Sequence, residues 1–326
     1  MATYRSITAS ASGSTAAIRI ASSTSTVRRS TGENFWLGKI TPSTRAVAPT
    51  TTSEPNTYSS RSAGEDWSSL YEQAWNDVYD VIARTMIAGA EADAGPPYRH
   101  AEVLTHERRG PDVAVFTCRP LQPLTFRAGQ YVSLECAHQP RLWRTYSMAN
   151  APRADGTLEF HVRAVGGWVS SALVRRLRPG DMLRLAAPMG SMTLEPQSRR
   201  DIVFVTGGTG LAPAKALLDE LSRYNRTRWV HLFRGERRTG DFYDRDHLDA
   251  LAETYPWLTI VRAVSDDPDT PLEPGPVSDV VARHGPWNHH DFYVSGSAGM
   301  VNATLKQLSA LRVPSTRIKY DAFTDA

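Results

Sequence analysis

Near residue 200 the rhythm of the chain changes, and that change limits the folds open to it. Between residues 98 and 195, short alternating runs recur, among them Asp112-Val113-Ala114-Val115-Phe116-Thr117, Tyr131-Val132-Ser133-Leu134 and Leu158-Glu159-Phe160-His161-Val162-Arg163. Turn residues separate them at Arg119-Pro120, Ala128-Gly129, Asp155-Gly156 and Pro179-Gly180-Asp181. Alternation sends every second side chain to one face, so this spacing predicts a closed antiparallel β-barrel with one helix over 169–177. After Asp201 the pattern becomes strand, helix, strand. Apolar runs at 202–206, 229–233, 258–264 and 291–295 read as buried strands, with helices over 212–224 and up to residue 311. Such alternation specifies a doubly wound parallel sheet. The expected organisation is a barrel over 98–196 and an α/β domain over 198–326, joined near Pro196-Gln197-Ser198.

The preceding residues read differently. Residues 1–62 begin with a Ser-, Thr-, Ala- and Arg-rich stretch whose first acid is Glu33. With few periodic apolar positions, the segment is expected to be a disordered tail, the alternatives being an organelle transit peptide or a misplaced start codon. Over 63–95 a single helix is expected: Trp67, Leu70, Tyr71, Ala74, Trp75, Val78, Ile82, Thr85 and Met86 form one apolar stripe, and Gly95-Pro96-Pro97 ends it. A stripe carrying two tryptophans should dock against the body of the protein.

Bulk properties remove several classes of function. No apolar run is long enough to span a bilayer. The 37 basic residues nearly cancel the 34 acidic ones, and a formal charge of +3 gives no footprint for nucleic acid. Two cysteines, Cys118 and Cys136, are too few for an iron–sulfur cluster and suggest a reducing cytoplasm. The nine histidines show no metal-ligand spacing, so no metal is expected.

Val205-Thr206-Gly207-Gly208-Thr209-Gly210-Leu211-Ala212-Pro213 lies where a core strand turns into a helix. Glycines there let a pyrophosphate approach the backbone, free amides at the helix start favour its charge, and proline suits the first turn. A second glycine-bearing strand end, Ser295-Gly296-Ser297-Ala298-Gly299-Met300, strengthens the dinucleotide reading. In the barrel, Arg144-Thr145-Tyr146-Ser147 combines a guanidinium fork for a diphosphate, a flat ring for an isoalloxazine and a short donor. Gly166-Gly167-Trp168-Val169-Ser170, at a helix start, makes a further phosphate cradle. An ordinary hairpin and a tight strand–helix turn remain the plainer alternatives for each motif alone.

In this order the motifs resemble the ferredoxin–NADP reductase-like family over residues 98–326, nearest to the reductase part of flavohaemoglobins. The resemblance implies an FAD-binding barrel followed by an NAD(P)-binding domain, and transfer of hydride from NAD(P)H to FAD with electrons passed to an external acceptor. Carried over by position, Arg144 and Thr145 would hold the FAD diphosphate, Tyr146 and Tyr131 would contact the flavin, and Ser147 would lie near its reactive nitrogen. Residues 167–170 (Gly167, Trp168, Val169, Ser170), with His161, Val162 and Arg163 before them, would complete the FAD site. Gly207, Gly208, Thr209, Gly210, Leu211, Ala212 and Pro213 would take the nicotinamide cofactor's diphosphate, with Gly296 and Met300 opposite. Ser295 stands where the family usually has a cysteine beside the nicotinamide, and the resemblance implies that it and Ser147 are catalytic. Phe323 would cover the flavin, and Asp321 replaces the usual glutamate. Arg234 and Arg237 favour a ribose 2′-phosphate, whereas Glu236 suits NADH. The helix over 63–95 is similar to the last helix of a globin, but no histidine precedes His100, so no haem is expected. Two competing readings remain: nitric oxide dioxygenase acting with a separate or missing globin, and a non-catalytic flavin- or nucleotide-binding module.

Overall fold

The computed structural model describes residues 5–9, 18–22, 69–92, 96–267 and 269–323. The chain divides into two units, 1–44 and 45–326. In the first, β1 (Arg5–Ala9) and β2 (Ile18–Ser22) pair antiparallel, with Ile7 opposite Ile20. The paired positions are in keeping with the extended-backbone preference of Ile and Thr. The remainder of the expected tail over 1–62 lies outside the described residues.

The second unit opens with α1 (Ser69–Ala92). Trp75, Tyr79, Ile82 and Met86, spaced four, three and four residues apart, fall on one side of it. Trp75 and Tyr79 are 59% and 60% exposed, and Ile82 and Met86 are exposed too. Trp75, Ile82 and Met86, which belong to the expected stripe, therefore do not make the docking expected of it.

The barrel comprises β3 (Arg99–Arg108), β4 (Val113–Pro120), β5 (Tyr131–Cys136), β6 (Arg144–Ser147), β7 (Leu158–Arg163) and β8 (Met182–Leu185), with α2 (Trp168–Arg175) between β7 and β8. Their order is β6-β5-β8-β3-β4-β7, every neighbouring pair antiparallel. The two end strands nearly close the ring, because Met148, just past β6, bridges Phe160 of β7. Phe116 and Phe160 stack at 5.4 Å in the interior, and α2 adds Val169, Ala172 and Leu173 to the same core.

The second sheet comprises β9 (Asp201–Gly207), β10 (Val230–Glu236), β11 (Leu258–Val264), β12 (Glu273–Pro274), β13 (His290–Ser297) and β14 (Ile318–Phe323). All pairs are parallel in the order β12-β11-β10-β9-β13-β14. The chain first builds outward from β9 on one side and then returns to its other side, so the switch point lies between β9 and β13. Ligands of such sheets bind beyond the strand carboxyl ends at that point. One face is covered by α3 (Leu211–Tyr224) and Leu248 of α4 (Arg245–Thr254), packed on Ile202, Phe204 and Leu232. The other is covered by α5 (Val277–Arg283) and α6 (Ala298–Ala310), packed on Val203, Val205 and Val294. Val113, Ala128 and Ala151 of the barrel domain join the α3 cluster, which fixes which face meets the barrel.

Candidate functional site

The glycine turn after β9 is a single 3-10 turn, Gly208–Gly210, feeding α3. A Cβ on Gly210 would fall 2.2 Å from the carbonyl oxygen of Ser295. A Cβ on Gly296 would fall 2.5 Å from Met300 Cε and 3.0 Å from the Gly207 oxygen. The turns following β9 and β13 therefore interlock backbone against backbone, a contact that only glycine permits at these two positions. At the second turn the Ser297 hydroxyl caps α6 by accepting from the Met300 amide at 3.4 Å.

Both turns open onto one cleft of about 830 Å³ whose opposite wall is the barrel. The barrel contributes Arg144, Thr145, Tyr146 and Ser147 from β6, His161, Val162 and Arg163 from β7, and Gly167, Val169 and Ser170 from the start of α2. The sheet contributes Gly207, Gly208, Thr209, Ala212, Arg237, Met300 and Phe323. Across the seam the Ser147 hydroxyl donates to Asp321 Oδ2 of β14 at 3.3 Å. Exposed Arg144 donates to the Trp143 carbonyl at 2.9 Å and pairs with no carboxylate among the described residues. Burial pushes the Tyr146 phenol well above its usual range, so the ring is a neutral surface. Arg163 spans both lobes: Nη1 lies 3.1 Å from the Cβ position of Gly208, and Nη2 lies 3.7 Å from Glu236 Oε2. Its buried Nε forms an ion pair with Asp112 Oδ2 at 3.3 Å that lacks hydrogen-bond geometry, so this donor hydrogen is left unsatisfied.

Two expected contacts are corrected. Arg234 is fully buried and donates to the Gly208 carbonyl at 3.1 Å and to Glu236 Oε1 at 3.0 Å. It braces the glycine turn from beneath and does not face the cleft. Ser295 is likewise fully buried, with its hydroxyl donating to the Gly210 carbonyl at 2.6 Å, so it ties the two turns together instead of facing a nicotinamide. Six more expected residues lie off the cleft wall. Leu211 and Pro213 are core residues of α3, and Gly210 and Gly296 sit behind the wall. Trp168 is 73% exposed and outside the cleft. Tyr131 also lies off the wall, beside Ser147 in the β5–β6 register, with its ring against Gly190.

The cleft also takes in Glu236, the residue read as suiting NADH, and gathers residues that motif reading missed, including Asp112, Asp241, Ser265, Ser278 and Ser297. Ser265 and Ser297 end or directly follow parallel strands, so asking what stands at each strand's carboxyl end would have found them. Burial raises the Glu236 carboxyl above its ordinary range, with Arg234 and Arg163 pulling the other way.

A model of the oxidoreductase FAD-binding domain matches residues 100–194, and one of the oxidoreductase NAD-binding domain matches 204–306. Reductase component 1 of terephthalate 1,2-dioxygenase from Comamonas sp is 31% identical over 228 residues, a match covering 68% of this chain and 67% of that protein. The chain belongs to the ferredoxin reductase-like family. The propane 2-monooxygenase reductase component of Rhodococcus jostii is 32% identical, over 65% of this chain and 60% of that protein. Among solved structures, the ferredoxin reductase in carbazole 1,9a-dioxygenase shares 30% identity at a TM-score of 0.65, covering 71% of each chain. A flavohemoglobin from Malassezia yamatoensis shares the fold at a TM-score of 0.71 and 17% identity, over 81% of this chain and 71% of that one. Membership makes the chain an NAD(P)H-dependent flavin oxidoreductase, with FAD and NAD(P)H as cofactors and an electron acceptor downstream. No helix among the described residues is long and apolar enough to cross a membrane.

Proposed function

We propose that this chain is the reductase of an oxygenase system and hands electrons to a separate protein, a ferredoxin or the oxygenase itself. The observation that carries this is the single cleft in which the β6–β7 wall faces both glycine turns. The cleft fits its cofactors: Arg144, which pairs with no carboxylate among the described residues, and the starts of α2, α3 and α6 offer positive potential to diphosphates. Arg144 and the Gly167–Ser170 turn would hold the FAD diphosphate, and Tyr146 would offer its face to the ring. The turn at 207–210 would seat the diphosphate of NAD(P)H, and Phe323 would close the far wall. Bound FAD supplies the step that converts a two-electron donor into a source of single electrons. The chain's own task is positioning. Ser147, anchored by Asp321, presents a hydroxyl fixed by both lobes. The test is an anaerobic titration of purified protein with NADH or NADPH. Bleaching of the flavin band, followed by stoichiometric reduction of an added iron–sulfur ferredoxin, is the expected result. A colourless or unresponsive protein would instead support the non-catalytic module.

A second reading takes α1, with its exposed apolar side chains, as a globin-helix remnant, which a haem Soret band in the purified protein would extend to the dioxygenase alternative.

A further inference from the structure

Beneath the cleft, and reaching its wall at His161, lies a cluster of charges to which the proposed function assigns no role. Lys215, on the second turn of α3, donates at 2.8 Å to Glu159 Oε1 of β7 and at 2.8 Å to Asp244 Oδ2 just before α4. His161 Nε2 lies 2.9 Å from the same Glu159 oxygen, and its Nδ1 lies 3.1 Å from the Tyr243 hydroxyl. A carboxylate only accepts, so Nε2 carries the proton, and in the neutral ring Nδ1 accepts from Tyr243. Burial keeps this imidazole neutral, lowering its pKa despite the opposing bond from Glu159. The Tyr243 carbonyl accepts from Arg234 at 3.4 Å, and Arg234 in turn holds Gly208. Bonds thus run without a break from the barrel strand to the helix and turn that begin the nucleotide side.

All four ionisable partners are buried: His161 is 4% exposed, Lys215 7%, Asp244 8% and Glu159 9%. Taking such charges out of water costs several kcal/mol per ion, and apolar replacements of equal shape are often as stable or more so. Stability is therefore a poor reason for the cluster. Direction is a better one. The apolar part of the seam, where Val113, Ala128 and Ala151 meet α3, is non-directional and would tolerate sliding. Short ionic bonds would not.

We infer that Glu159, His161, Lys215 and Asp244 form an ionic clasp that fixes the relative position of the two lobes, making them positioning residues for electron entry from NAD(P)H. This rests on the reductase reading above. The test compares full-length flavoprotein with its K215M, K215R and E159Q variants in three measurements. These are FAD content with nucleotide dissociation constant, the rate of flavin bleaching at saturating NAD(P)H, and hydrogen–deuterium exchange across residues 158–163 and 207–216. K215M is expected to keep its FAD and to bind nucleotide within about threefold of the native protein. Its limiting bleaching rate should fall on the order of tenfold to a hundredfold, the scale of a small misplacement of reacting groups. Exchange should rise on both sides of the seam, and K215R should recover part of the rate. An unchanged limiting rate in K215M overturns the clasp, as does weakened nucleotide binding with the rate intact. If K215M does not fold, E159Q, which keeps shape and removes one charge, is judged by the same rate. Native protein that NAD(P)H fails to bleach would sink the reductase reading, whereas native and variant bleaching equally fast sinks the clasp alone.

Discussion

Gly208 and Gly210 stand two residues apart in one turn and obey different constraints. At Gly210 an added methyl meets a backbone carbonyl that cannot yield, so Gly210→Ala should cost about 3 kcal/mol by urea unfolding. At Gly208, φ is +55° and the nearest atom is the tip of the Arg163 side chain, so Gly208→Ala should cost only about 1 kcal/mol. Equal losses would show that the interlock with Ser295 does not govern this turn. Glu236 invites a second prediction. It borders the cleft at the end of β10, where a ribose lies in doubly wound sheets, and a carboxylate there opposes a 2′-phosphate. Glu236→Gln should raise the ratio of kcat/KM for NADPH over NADH about tenfold, a modest share of the Coulomb energy at such distances. A ratio unmoved by the substitution would remove Glu236 from nucleotide selection. The glycines were legible in the sequence because their spacing alone carries the meaning. Arg234 was not. Reading β10 as 229–233 placed Arg234 in a ligand loop, whereas the strand runs to Glu236 and takes the guanidinium into the core.

At the level of elements, the period of the apolar residues was enough to place every barrel strand it named and the alternation that follows. What periodicity cannot say is what an apolar stripe faces. The stripe of α1 shows this: its 4-3-4 spacing specifies a helix equally well whether a partner covers it or solvent does. Since Trp75 is 59% exposed, Trp75→Ala should change the unfolding free energy of the reductase body by less than about 0.5 kcal/mol in urea titration. A loss of about 3–5 kcal/mol, typical of a buried aromatic, would mean that the helix packs after all. The carboxyl ends of β10 and β13 were the other weak point. Both strands run two or three residues beyond the runs read for them, and Arg234 changed its role for that reason, whereas Ser295 lay inside the expected strand and is turned inward by its bond to the Gly210 carbonyl.

For the whole molecule, the order of motifs foretold two lobes sharing a cleft, but the chemistry of their seam was invisible. Lys215 lies 56 residues from Glu159 and 29 from Asp244, and no local pattern announces a bond across such distances. The seam should nonetheless announce itself in the pH dependence of stability. His161 binds its proton less readily in the folded protein than at the ordinary imidazole value of 6.5, through burial first and against the pull of Glu159. Below that pH the unfolded chain takes up a proton that the folded chain refuses, so stability falls as pH falls. Glu159 and Asp244 act with the same sign lower down. Burial alone would raise their carboxyls, but hydrogen bonding from His161 to Glu159 and the Lys215 charge hold both below 4.5 and 3.8. Their contribution is whole above those values and is lost as pH drops beneath them. One proton corresponds to at most about 1.4 kcal/mol per pH unit. His231, His247 and His290 are shifted the same way, so the native slope between pH 6.5 and 5 reports several groups. His161→Gln isolates one of them: urea unfolding across that window should give a slope shallower than native by up to about that amount. Superimposable slopes would mean that the native seam accepts a proton at His161 without opening, and the clasp would then be too loose to hold the lobes.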